Sequence, residues 1–311
     1  MPSVLEMLEG KGLARVATQL ASNIRQSARF CAAEYAEGPD NRIGGRPNLP
    51  SDVEWPRWRD QSLAFIAQLD LATLPPVEGL DLPRVGALYF FYEGGEEAWG
   101  FSPDDRSAWQ IYFSERSPGD FSPRDYPSDL PEELRLKGIR LFQPEVEPTV
   151  PGGQDVLLDH LAMTPQEREL YDAFLEEWDS SHLVAFQPLP GYPKWVKPDS
   201  DTGRIWDQER YKHPSLHRIG GYPDCVQFAD PKLEAQLVSH GLYCGDATGY
   251  LEGERSGLSA GAVDWQLLLQ VDCEPNADMD WGDSGRVYFL IHKLDLENRR
   301  FDKVWLVSQT Q

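Results

Sequence analysis

Four short blocks of this chain occur twice in the same order, and that repetition constrains the fold more than any single motif. Arg42-Ile43-Gly44-Gly45-Arg46-Pro47 returns as Arg218-Ile219-Gly220-Gly221-Tyr222-Pro223, with five of six positions identical. Phe65-Ile66-Ala67-Gln68-Leu69-Asp70 is matched by Leu267-Leu268-Leu269-Gln270-Val271-Asp272, an apolar run that ends in Gln-x-Asp. Gly86-Ala87-Leu88-Tyr89-Phe90 parallels Gly285-Arg286-Val287-Tyr288-Phe289, and Ile111-Tyr112-Phe113-Ser114 parallels Trp305-Leu306-Val307-Ser308. The second copy carries about 26 more residues between its Gly-Gly turn and its Gln-x-Asp run. One block could recur by chance. An ordered set of four points to two diverged copies of one unit.

Each block has strand character. Leu63–Leu69, Ala87–Tyr92 and Trp109–Phe113 are aliphatic and aromatic runs bounded by Pro and Gly, and a short strand is expected around Ile139–Phe142. Helices are marked differently. Ser3 and Glu6 have capping-box spacing, and Leu13, Val16, Ala17, Leu20, Ile24, Ala28 and Cys31 then recur on one face, so residues up to about 35 read as helix. Thr164-Pro165 with Glu167 begins a second helix carrying Leu170, Phe174 and Trp178; Asp230-Pro231 begins a third that stops near Gly241. Ser117–Pro131 and Pro188–Thr202 read as loops. The expected fold is α+β, mostly antiparallel β, with two pseudo-twofold β units and peripheral helices. Its expected divisions are an amphipathic helical segment at 1–38, a first β-rich repeat at 39–210 and a second at 211–311, together one compact unit.

These motifs carry a resemblance. Gly44-Gly45-Arg46-Pro47-Asn48-Leu49-Pro50, Trp55-Pro56 and Leu63–Leu71 resemble the signature of the YwqG-like family of bacterial proteins, as do Leu267–Asp272, Trp281-Gly282-Asp283, Gly285–Phe289 and Phe301–Gln309. The resemblance covers most of the chain beyond about residue 40. The family is described as a domain of unknown function. Through the duplicated architecture it is similar to eukaryotic proteins that chaperone a ribosomal protein, and related bacterial genes sit near toxin–immunity loci. The resemblance therefore implies a protein-binding role. The leading helix and the Ser117–Tyr211 insertion depart from the shortest form of the pattern, and no Cys/His cluster exists for the zinc module of some eukaryotic relatives.

Charge narrows the partners. With 29 Lys+Arg against 51 Asp+Glu the formal charge is −22, which repels phosphate backbones and anionic lipid, so nucleic acid and membrane surfaces are not expected partners. A basic protein or peptide is favoured, and solubility alone also explains the acidity. The four cysteines are scattered with no CxxC pair, and the N-terminus lacks a signal-peptide apolar core, so a cytoplasmic location is expected.

Several constellations have a chemical and a structural reading. Gly44-Gly45 and Gly220-Gly221 lack the spacing of a phosphate-cradling loop and read as tight turns needing positive φ. Gly282-Asp283-Ser284-Gly285 copies the tetrapeptide around a protease serine, without the expected histidine context. Asp272, Glu274, Asn276, Asp278, Asp280 and Asp283 form the densest oxygen-ligand cluster; Asp278, Asp280 and Asp283 are weak metal candidates, but no EF-hand spacing is present and no metal is assigned. The six histidines have no metal-site spacing, and no cofactor is expected. Gln68 with Asp70, and Gln270 with Asp272, read either as buried groups bonding loop backbone or as polar groups lining a groove between the copies.

The resulting expectation is a protein- or peptide-binding module, a dedicated chaperone or immunity-type partner of a basic client, rather than an enzyme. The expected groove comprises Gly44, Gly45, Trp55, Trp58, Gln68, Asp70, Trp99, Gly220, Gly221, Gln270, Asp272 and Trp281, with no catalytic residue assigned. The alternatives are a hydrolase using carboxylates between Asp272 and Asp283, and a structural oligomer subunit.

Overall fold

The computed structural model describes residues 3–35, 41–94, 97–185, 216–227, 229–274, 277–282 and 285–310. Trp195, Trp206, His213, Asn276, Asp283, Ser284 and the loop expected at Pro188–Thr202 lie outside the described residues.

The chain opens with two short helices, α1 (Val4–Gly10) and α2 (Ala14–Ser22), separated by Gly12 at φ 86°. The capping box forms: the Ser3 hydroxyl accepts from Glu6 N at 3.2 Å, and Glu6 accepts from Ser3 N at 2.7 Å. The expected helix does not reach residue 35. The side chains of Ser22 and Asn23 both donate to the Gln19 carbonyl, at 2.8 and 2.9 Å, satisfying a helix-end acceptor where the helix stops. The chain then turns into strand β1 (Arg25–Tyr35). Leu13, Val16, Ala17 and Leu20 keep their shared face, but they bury it against α3 (Val156–His160) and α4 (Pro165–Ala185) through Leu158, Tyr171, Phe174 and Trp178. This is a helical subcore separate from the main apolar cluster.

The first repeat supplies β2 (Arg42–Ile43), the hairpin β3 (Arg57–Trp58) and β4 (Gln61–Ser62), then β5 (Ala64–Asp70), β6 (Ala87–Tyr92) and β7 (Trp109–Ser114). A long strand β8 (Ile139–Thr149) precedes α3 and α4. The second repeat supplies β9 (Arg218–Gly220), α5 (Pro231–Ser239), α6 (Ala247–Ser256), β10 (Trp265–Asp272), β11 (Arg286–His292), α7 (Lys293–Glu297) and β12 (Trp305–Gln309). The extra residues of the second copy fold as α5 and α6. Both capped helices form as expected, with Glu167 accepting from Thr164 N at 2.8 Å and Asp230 accepting from Lys232 N at 2.9 Å.

Apart from the β3–β4 hairpin, these strands form one antiparallel sheet of ten, in the order β12-β11-β10-β9-β1-β8-β2-β5-β6-β7. That order is a palindrome: β2, β5, β6 and β7 on one side mirror β9, β10, β11 and β12 on the other, about the β1–β8 pair. The pseudo-twofold thus includes two strands outside the repeated blocks. β1 precedes β2 in the chain yet pairs with β9, and β8 precedes β9 yet pairs with β2. Each repeat lends its leading strand to the other, so the sheet runs unbroken across the boundaries expected at 38 and 210. The short strand expected around Ile139–Phe142 runs on to Thr149 as the central strand β8.

The two wings of the sheet share an apolar core. Phe90 and Phe289, equivalent in the repeat, meet edge to face at 4.9 Å, and Trp109 meets Trp305 at 5.0 Å. Strands β5 and β6 are also covered on their other face, where Phe65, Tyr89 and Phe91 pack with Leu49, Trp55, Leu63 and Leu130. Burial on both faces explains why these strands read as continuous apolar runs rather than alternating ones. No helix among the described residues is long and apolar enough to cross a membrane.

Candidate binding cleft between the repeats

The twice-occurring polar residues build two copies of one buried clasp. In the first, Gln68 Oε1 accepts from Asn48 N at 2.8 Å, Tyr89 OH donates to Asn48 O at 2.7 Å, and Arg42 donates to the Asn48 side chain at 3.1 Å. In the second, Gln270 Oε1 accepts from Asp224 N at 2.9 Å, Tyr288 OH donates to Asp224 O at 2.6 Å, and Arg218 pairs with Asp224 at 2.9 Å. Asn48 and Asp224 hold the same place after each Gly-Gly turn. The flanking pair is conserved in role: Asn41 Oδ1 accepts from Asp70 N at 2.7 Å, and His217 Nδ1 accepts from Asp272 N at 3.2 Å.

Gln68 and Gln270 are both 0% exposed, so they fix loop backbone rather than frame a groove. The glycines are structural too. Gly44, Gly45, Gly220 and Gly221 all have φ between 58° and 74°, and a Cβ on Gly221 would lie 2.6 Å from Thr149 Oγ1. Asp70 accepts from Ala72 N at 3.1 Å and from Ser117 Oγ at 3.4 Å; Asp272 accepts from Leu216 N at 2.9 Å and lies 3.2 Å from Arg286 Nε. Trp55 is buried, donating to Leu63 O at 2.9 Å against Phe91 and Tyr126. Trp99 is half-buried, and its backbone carbonyl pairs with Ser308 N at 2.9 Å on the free edge of β12. These residues lie outside the cleft lining.

Two of the expected aromatics do meet. Trp58, at the tip of the β3–β4 hairpin, and Trp281, from the β10–β11 loop, line one cleft of about 610 Å³ between the repeats. Trp281 is anchored by its indole N–H, which donates to Asp272 O at 3.2 Å, and its ring lies 6.1 Å from Tyr92. The apolar floor is Leu63, Ala64, Ile66, Leu134 and Leu136. Asp278 and Asp280 also reach this cleft, but Asp278 pairs with Lys137 at 2.9 Å and Asp280 accepts from Gly282 N at 3.1 Å. No group of three or more His, Cys, Asp or Glu among the described residues is arranged to hold a metal ion.

The rim is acidic. Asp60, Glu93, Glu97, Asp129, Glu133, Asp278 and Asp280 line the cleft, with Arg59 the cation among its described lining residues. Arg57 donates to Asp129 at 2.6 Å and holds that carboxyl below its ordinary pKa. Asp60 and Glu133 form no ion pair among the described residues, so their charges stay available.

The fold does not impose this acidity. At the quasi-equivalent end of the second repeat, a cleft of about 590 Å³ is lined by Arg106, His240, His292, Arg300 and Lys303 beside Asp295. Its His292 stands at the repeat position of Glu93. Acid on one side and base on the other is a difference in side chains laid on a shared frame.

Sequence reasoning missed Arg59, Asp60, Glu97 and Glu133, because none lies in a repeated block or a motif. Among the described residues the second repeat has no counterpart of the hairpin that brings Arg59 and Asp60 to the rim. The only available signal was the turn between two short polar segments after Trp55-Pro56.

In a comparison with curated proteins nothing matches this chain. The model of a family described as a domain of unknown function, DUF1963, matches residues 41–309, which span both repeats and the cleft, and the chain belongs to that family.

Proposed function

We propose that this protein binds a basic peptide or protein segment in the acidic cleft between its repeats. The observation that carries the reading is the lining itself: two indole-bearing walls, an apolar floor and a rim of carboxylates in which Asp60 and Glu133 remain unpaired among the described residues. A cationic side chain gains from the carboxylates while its alkyl stem covers the floor. The overall charge of −22 draws such a partner in from a distance. Among the described residues Cys225, Cys244 and Cys273 form no disulfide, which suits a reducing compartment such as the cytoplasm. A dedicated chaperone or immunity-type partner would need this kind of surface, and the resemblance to the YwqG-like proteins supports the same direction.

The test is calorimetric titration of the full chain with a synthetic lysine- and arginine-rich peptide and with its acidic counterpart. The reading expects the basic peptide alone to bind, with affinity falling as salt rises. Asp60→Lys with Glu133→Lys should weaken it about tenfold or more, since two attractive contacts become repulsive. Equal binding of both peptides, or indifference to the double charge reversal, would exclude this cleft.

A further inference from the structure

The cleft already holds a guanidinium of its own. Arg59 lies 3.9 Å over the Trp58 ring and pairs through its Nη1 with Glu97. Its backbone is in the left-handed region at φ 51°, in the two-residue turn Arg59-Asp60 between paired Trp58 and Gln61. Turns of this kind favour Gly, Asn or Asp at a positive-φ position, and a long branched-polar side chain has no local reason to be there. What Arg59 makes instead are the two contacts that suit a guanidinium: a planar face on an indole and a donor fork toward a carboxylate.

We propose that Trp58 and Glu97 form an arginine-selective subsite, and that Arg59 is its resident occupant, displaced when an arginine of the client docks. This deepens the basic-peptide reading and rests on it. Arg59 and Glu97 are both more than half exposed, so their contact is weak and exchangeable. A client arginine makes the same contacts and also meets Asp60 and Glu133, which face the cleft without ion-pair partners among the described residues. Once displaced, Arg59 is free to swing into solvent. A lysine fits the subsite less well, because its ammonium is a compact, strongly hydrated point charge with no flat face to stack.

The experiment compares the full-length protein with Arg59→Gly, a change the turn's positive φ accommodates. The probes are two peptides, acetyl-Gly-Arg-Gly-Arg-Gly-amide and its lysine equivalent, titrated by calorimetry. The proposal expects Arg59→Gly to bind the arginine peptide about fivefold tighter than the unaltered protein, with a clearly smaller gain for the lysine peptide. Trp58→Leu, which keeps Arg59 and its charge, should abolish the preference for arginine over lysine. An equal gain for both peptides would show only a change of net charge and would overturn the proposal, as would no gain at all; in either case the basic-peptide reading stands. Failure of both proteins to bind either peptide would remove that reading and this proposal together.

Discussion

Phe90 and Phe289 occupy equivalent positions in the two repeats and touch each other across the pseudo-twofold, ring centre to ring centre at 4.9 Å. Each is fully buried. A contact between a residue and its own counterpart forms only where a symmetry axis passes, so this pair marks the axis inside the core. It also joins the wings that carry the cleft walls.

Truncating either ring should therefore cost about as much as truncating the other. Phe90→Ala and Phe289→Ala are each expected to destabilise by roughly 3–5 kcal/mol in denaturant unfolding. The double variant should lose less than the sum, because both changes open one shared cavity. Full additivity would show that the two rings do not share a packing site.

The glycine turns make a sharper contrast. At Gly44 an added Cβ would collide with the Lys137 carbonyl, and φ is 58°. Gly44→Ala is expected to destabilise by at least about 2 kcal/mol through strain and displaced backbone. Gly10, at the end of α1, has nothing within 4 Å of its would-be Cβ and no positive φ. Gly10→Ala should stabilise by up to about 1 kcal/mol. Thermal melts of the two variants against the unaltered protein check both signs.

Removing one of the buried clasps tests whether they act as fold determinants. Gln270→Ala would leave the Asp224 amide N–H without the 2.9 Å acceptor it now has. A loss of about 1–3 kcal/mol is expected, with basic-peptide affinity unchanged once the chain is folded. A variant of native stability that failed to bind would return Gln270 to the binding surface.

Stability should also depend on pH through Glu234. Burial pushes this carboxyl up to about 7, against smaller opposing effects from hydrogen bonds donated by Tyr250 at 2.7 Å and Gln309 at 3.2 Å. Its folded pKa lies above its ordinary value of 4.5, so the folded state holds the extra proton between those two values. Stability from this group therefore falls as pH rises from about 4.5 to about 7 and levels off above. Nearby Asp230 is raised as well, chiefly by burial and in opposition to Lys232, and acts in the same direction. Glu234→Gln should flatten this part of the stability curve by a few kcal/mol. An unchanged slope in urea titrations across that range would contradict the assignment.

Much of this architecture was legible in the sequence, for a physical reason. Strands buried on both faces, such as β5 and β6, announce themselves as apolar runs, and a turn that only glycine can occupy leaves Gly-Gly in both copies. β1 was not legible. Val16, Leu20, Ile24 and Ala28 sustain a helical period across a segment that becomes a strand after Ser22, because pairing with β8 and β9 outweighs local preference. The cleft was half legible. Trp58 and Trp281, both expected in the groove, line one cleft, whereas Gln68 and Gln270 recur because they hold backbone in place. Glu133 left no signal and Arg59 only that of a short turn after Trp55-Pro56, since their role comes from where a hairpin and a loop meet.

The most direct test of the central claim follows the indole N–H resonances of Trp58 and Trp281 while an arginine-rich peptide is added to the full chain. Saturable shifts at these two indoles, with the surroundings of Arg106 and Arg300 unmoved, are the result expected of a peptide seated in the acidic cleft. Shifts confined to another surface, or no saturable shift, would contradict it.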